Sequence, residues 1–209
     1  MKFPLLFYIF LLIQCGVAIV GGFRYRSLPR PLRILEWLII LGIVDSIVQW
    51  FLASFRIHNL WTMHFYTLIE LIFVFMIYSS WMKQHRSRSV LLLCFTVFTI
   101  LWIVSKFSFE PFSLADDGTA AISKILQIAF SAFLLLDIVK ENEVVWTKDP
   151  RIWVTTGVIV YSAGSLLLFA LFNKMLQISP THLLMMWSVN WILAIISNLF
   201  FLRAFLCKK

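Results

Sequence analysis

Two carboxyl groups sit where an apolar chain has least use for them. Asp45 lies ten residues from Phe55 and Glu70 lies ten residues from Leu60, each inside a long hydrophobic stretch. If both stretches are helical, each acid is about 15 Å from the end of its helix. An Asp at the centre of a membrane helix costs roughly 2.5–3.5 kcal/mol on insertion scales. Two acids at one height on neighbouring helices therefore predict a polar cavity near the midplane. There they would share a proton, because both cannot cheaply ionise in low dielectric, or bind a cation, an amine or a proton. Gln49 stands one turn from Asp45, and Gln127, Ser162 and Asn190 fall at comparable depth in later stretches. His64, Thr67 and Glu70 step at i, i+3 and i+6, so a polar track should run from one surface to the carboxyls. The expected set for binding a ligand or proton is thus Asp45, Gln49, His64, Glu70, Gln127, Ser162 and Asn190. The competing reading makes the same groups interhelical hydrogen-bonding partners, worth about 0.6 kcal/mol per bond.

Other chemistries find less support in the spacing. His58, His64 and His182 fall near one set of helix ends and could reach a metal with Glu110, Asp116 or Asp117, but no His-x3-His or Cys-x2-Cys pair is present. No metal and no cofactor are expected. Cys15, Cys94 and Cys207 lie at unrelated heights and predict no disulfide framework. A lipid hydrolase using Asp45 and Glu70 as acid and base would lack a visible nucleophile, so the expectation leans away from an enzyme.

The elements that must hold these groups follow from composition. The 209 residues are 61% hydrophobic and 13% charged, against about 45–50% and about 25% in soluble domains. Crossing a hydrocarbon core takes about 20 apolar helical residues. Seven stretches qualify: about 3–23, 32–55, 60–82, 89–107, 119–139, 152–172 and 183–206. The predicted fold is all-α: a single seven-helix transmembrane domain over residues 1–209. Pro29 and Pro31, Asp116-Asp117-Gly118-Thr119, Pro150 and Ser179-Pro180-Thr181 mark helix starts. At comparable depth the fourth stretch carries nothing stronger than Thr96, Thr99 and Ser105, and it is the best candidate for a lipid-facing helix.

A net charge of +8 would suggest nucleic acid in a soluble protein. Sorted by loop, thirteen of the eighteen basic residues fall on the side of the C-terminus and five, including Lys106 and Lys124, on the other. That bias predicts an external N-terminus and a cytoplasmic C-terminus. The charge then reads as topology. The expected partners are the bilayer and, at the basic loops, a cytoplasmic protein or anionic lipid, with no nucleic acid.

A retinal protein would need a lysine in the middle of the seventh stretch, and Leu183–Leu202 has none. Tyr78-Ser79-Ser80-Trp81 and Asn198-Leu199-Phe200-Phe201 lack the G-protein-coupled receptor signatures, and the Pro-Gln motif of SWEET-type sugar transporters is absent. His64-Phe65-Tyr66-Thr67-Leu68-Ile69-Glu70, Tyr161-Ser162-Ala163-Gly164-Ser165 and the Trp191 to Asn198 stretch resemble a group of small bacterial seven-helix membrane proteins with no assigned activity. The resemblance implies a bacterial inner-membrane lineage and no mechanism. The residues lead to a receptor-like or sensory module. A small-solute or proton-coupled transporter using the same carboxyls is the alternative, and a non-catalytic subunit of a membrane complex comes next.

Overall fold

A computed structural model describes residues 4–141, 145–172, 174 and 180–207. Among the described residues there are seven helices long and apolar enough to cross a membrane, and there is no strand. They are α1 (Leu5–Arg24), α2 (Arg30–Ser54), α3 (Leu60–Trp81), α4 (His85–Ser108), α5 (Gly118–Val139), α6 (Pro150–Ala170) and α7 (Pro180–Leu206). Local chemistry sets several ends. The Asp117 carboxylate accepts from the Gly118 N–H at the start of α5, and the Asp149 carboxylate accepts from the Arg151 N–H at the start of α6. These satisfy N–H groups that a helix start leaves without partners. Pro31 and Pro150 stand in first turns, where the missing N–H costs nothing.

Six helices close into a ring in the order α1, α2, α3, α5, α6, α7, and α7 returns to α1. The fourth helix stays outside, packed on α3 and α5. Leu93, Val97, Ile100 and Phe107 of α4 are exposed, forming an apolar outer face suited to lipid. The ring is solid at one end and hollow at the other. Leu35, Ile77, Tyr78, Leu134, Ile138, Val154 and Phe205 fill the half nearest the C-terminus with close-packed side chains. Toward the opposite end the helices surround a cavity.

One buried acid lies in the packed half. Glu36 of α2 is buried, and its Oε2 has no hydrogen-bond partner among the described residues. It lies against α1 where Gly21 leaves room. A Cβ at position 21 would overlap Glu36 Oε2 and stand 2.9 Å from Phe205 Cε2. Gly21→Ala is therefore expected to lose about 1–3 kcal/mol of stability through overpacking. Thermal unfolding in detergent measures this, and Glu36→Ala in the Gly21→Ala background should restore part of the loss.

Candidate functional site

The cavity enclosed by the six-helix ring has a volume of about 460 Å³, within the range of about 300–1,000 Å³ that holds small molecules. All six ring helices contribute to it. Of the expected set, Asp45, Gln49, Glu70, Gln127 and Asn190 line this space. The two carboxyls from α2 and α3 do face one cavity, and Glu70 is close enough to act electrostatically on Asp45.

Their partners differ from the expectation of a shared proton. Glu70 Oε2 accepts from Lys124 Nζ at 2.5 Å, and both residues are buried. Lys124 also stands over the Tyr161 ring at 4.5 Å and the Phe169 ring at 5.6 Å. A salt bridge with an aromatic wall behind it neutralises Glu70 within the protein. The loop-charge assignment of Lys124 is therefore corrected: its ammonium belongs to the bundle interior. A sequence signal existed, because Ser123, Gln127 and Ser131 mark a polar stripe along α5 that runs past Lys124. Asp45 keeps only Gln49, whose Nε2 donates to Oδ2 at 2.7 Å.

Gln127 and Ser162 act as a packing pair. Ser162 Oγ donates to Gln127 Oε1 at 2.7 Å, and Ser131 Oγ donates to the Gln127 carbonyl at 2.7 Å. Tyr78 and Ser131 hydroxyls join α3 to α5 at 2.7 Å. Ser162 is fully buried and does not reach the cavity wall.

The polar track along α3 divides. Thr67 and Glu70 line the cavity, whereas His64 turns into a second buried cluster built by the end of α4, the loop 109–117 and the start of α5. His64 Nε2–H donates to the Leu114 carbonyl at 3.0 Å, which leaves Nδ1 to accept from Lys106 Nζ at 2.5 Å. The same ammonium donates to Glu110 Oε2 at 2.9 Å, and Asp116 Oδ1 lies 3.5 Å away. Thr119 Oγ1 bonds both carboxylates. Glu110 Oε1 caps α5 by accepting from the Gly118 N–H at 2.7 Å and the Thr119 N–H at 3.2 Å. Burial opposes ionisation of Glu110, but the bonds from Thr119 and Lys106 outweigh it and hold the carboxyl well below the ordinary range. Burial dominates at Asp116 and pushes it up.

This cluster bears on the metal expectation. One ligand atom each from His64, Glu110 and Asp116 lie within 4.8 Å of one another, which is metal-like geometry. Lys106 Nζ, however, is within 3.5 Å of all three residues and stands where an ion would. The ammonium and a metal exclude each other. His58 contacts the Ser113 carbonyl instead, and the His182 side chain lies outside the described residues. Lys106, like Lys124, is an interior charge that loop sorting misplaces. Its i, i+4 spacing to Glu110 was the available signal.

At the packed end of the bundle, Arg151 holds Glu141 bidentately at 2.9 and 3.0 Å, and Lys83 adds a third contact at 3.0 Å. The hydrogen bonds from Arg151 are the chief cause that lowers Glu141 to about 2, with burial opposing them and Lys83 assisting. A depressed carboxylate stabilises above its ordinary value near 4.5 and loses that contribution as pH falls through about 2. The difference in thermal midpoint between the wild type and Glu141→Gln should be largest above pH 4.5 and shrink toward zero near pH 2.

No protein-family model, curated protein or solved structure matches this chain.

Proposed function

We propose that the chain is a receptor-like seven-helix membrane protein that binds a small ligand in the cavity of its six-helix ring. The observation that carries this reading is a cavity of about 460 Å³ whose wall includes Asp45, Asn190 and the Glu70–Lys124 ion pair. Helix packing alone favours closing such a space, because unfilled volume forfeits dispersion contacts. The cavity reaches Asn59 and Leu60 at the end opposite the packed core. With Lys106 and Lys124 counted as interior, the basic residues divide thirteen to three between the two ends. That bias supports an external N-terminus, a pocket open to the outside, and a basic inner face that meets a protein partner or anionic lipid. A bacterial inner membrane fits this topology.

One observation favours transport as the second reading. Glu36 is a buried acid on α2 below the cavity, toward the inner end, as a proton-coupled carrier would require. A small-molecule screen by thermal stability, followed by flux in proteoliposomes, separates the two. A receptor gives a compound that stabilises the wild type, fails to stabilise Ala194→Phe, which fills the cavity, and is not accumulated by vesicles. Accumulation identifies a transporter. A protein that no compound stabilises, and that tolerates neutralisation of both Asp45 and Glu70 without change, is neither.

A further inference from the structure

We infer that the cavity takes an organic monocation, an amine whose charged head sits at Asp45 and whose apolar body lies against the aromatic wall. This rests on the ligand-binding reading above.

Charge balance is the first argument. The cavity wall carries two carboxyls and one ammonium, from Asp45, Glu70 and Lys124. Lys124 is committed to Glu70 at 2.5 Å. Among the described residues no lysine or arginine pairs with Asp45, and Gln49 holds only its Oδ2. The site is thus one positive charge short, and Asp45 Oδ1 carries no protein hydrogen bond among the described residues. A carboxylate at this depth needs a cation or a donor.

Hydrogen-bonding capacity points the same way. Every buried side-chain polar atom that lacks a partner among the described residues is an oxygen. Three of them, Gln14 Oε1, Asn190 Oδ1 and Asn198 Oδ1, belong to cavity-lining residues. Gln14 and Asn198 spend their amide N–H groups on the backbone carbonyls of Ile39 and Ala194, which fixes the orientation of their oxygens. An ammonium supplies donors to oxygens of this kind.

Size and surface separate an organic cation from a metal ion. A bare sodium ion would leave most of about 460 Å³ empty. Trp50, Tyr66, Trp187 and Trp191 supply aromatic surface to the wall. The cavity already holds one ammonium this way, since Lys124 Nζ stands 4.5 Å from the Tyr161 ring centre.

Titrating the full chain in detergent with three probes of matched shape tests the inference, read by tryptophan fluorescence and thermal midpoint. The probes are 2-phenylethylamine (cationic), 2-phenylethanol (neutral) and 3-phenylpropionate (anionic). The expected result is that the amine binds about tenfold or more tighter than the other two, and that Asp45→Asn removes this preference. The wild-type ranking stands without any variant, and Gln49→Leu offers a second, milder perturbation that should weaken amine binding. Equal binding of amine and alcohol overturns the inference. So does tightest binding of the phenylpropionate, lost in Lys124→Met, and both results leave the ligand-binding reading intact. If none of the three binds up to its solubility limit, the inference falls, and the compound screen described above decides the ligand-binding reading separately.

Discussion

Replacing Lys124 with methionine is expected to destabilise the protein by about 3–5 kcal/mol, the range for removing one partner of a buried ion pair. Both members are buried, and the bond between them is 2.5 Å. The loss arises chiefly from Glu70, which would keep its desolvation without its countercharge. The lysine stem itself is roughly matched in volume by methionine. A double variant isolates this origin. Glu70→Gln with Lys124→Met leaves no uncompensated charge and should recover most of the stability lost by Lys124→Met alone. The double-mutant cycle measures the coupling directly, provided that neither single change creates a new contact. Thermal unfolding in detergent at neutral pH is the readout. A Lys124→Met protein as stable as the wild type would mean that the pair does not hold α3 to α5. The ion pair would then have to be read as a feature of the binding site alone.

The second large effect belongs to Lys106. Lys106→Met should also cost about 3–5 kcal/mol, because it leaves Glu110 and Asp116 buried beside His64 with no cation. Arginine should not rescue it. The ammonium is a compact donor caged by His64 at 2.5 Å, Glu110 at 2.9 Å and Thr119 at 3.2 Å. A planar guanidinium cannot occupy that space without moving α3 or α5. A gain of function complements the loss. Lys106→Ala frees three ligand atoms already within 4.8 Å of one another, so Zn²⁺ should raise the thermal midpoint of this variant and leave the wild type unchanged. Adding His64→Ala should abolish the response. A wild-type protein stabilised by Zn²⁺ to the same degree would show that Lys106 yields its place, and the cluster would then have to be treated as a metal site.

The two clusters differ in what they leave over. Around Lys106, one ammonium serves a carboxylate held low by its hydrogen bonds and a second carboxyl that burial pushes up. Its role is to tie the loop between α4 and α5 onto α3, helped by Phe112 stacked on Phe65 at 5.4 Å. The central cavity instead keeps Asp45 without a countercharge among the described residues. A packed, self-neutralised network is a structural device. In the reading proposed above, an unmatched charge facing a cavity is a binding device.

Much of the architecture was legible in the sequence. Helix number and approximate ends follow from hydropathy and from caps such as Asp117 and Asp149, which are local chemistry. The peripheral place of α4 follows from its lack of strong polar groups along most of its length. The common height of Asp45 and Glu70 follows from helical rise, and the structure puts both on one cavity. His64 was harder to place. Its i, i+3, i+6 relation to Glu70 is real along α3, but the loop carrying Leu114 and the end of α4 draw the imidazole away from the cavity.

By itself, then, the sequence determined seven apolar helices, their boundaries and the depth of their acids, because each is dictated by residues close together in the chain. Tertiary structure decided which groups distant in the chain meet. Glu70 and Lys124 are 54 positions apart, and His64 and Lys106 are 42 apart. No periodicity links such pairs. A lysine near a helix end can reach toward water or turn inward along its own flexible stem. The packing of α5 against α3 brings Glu70 to Lys124, and the folding of the loop 109–117 brings Glu110 and Asp116 together around Lys106. Asp45, left over from that pairing, is the residue on which the proposed ligand depends.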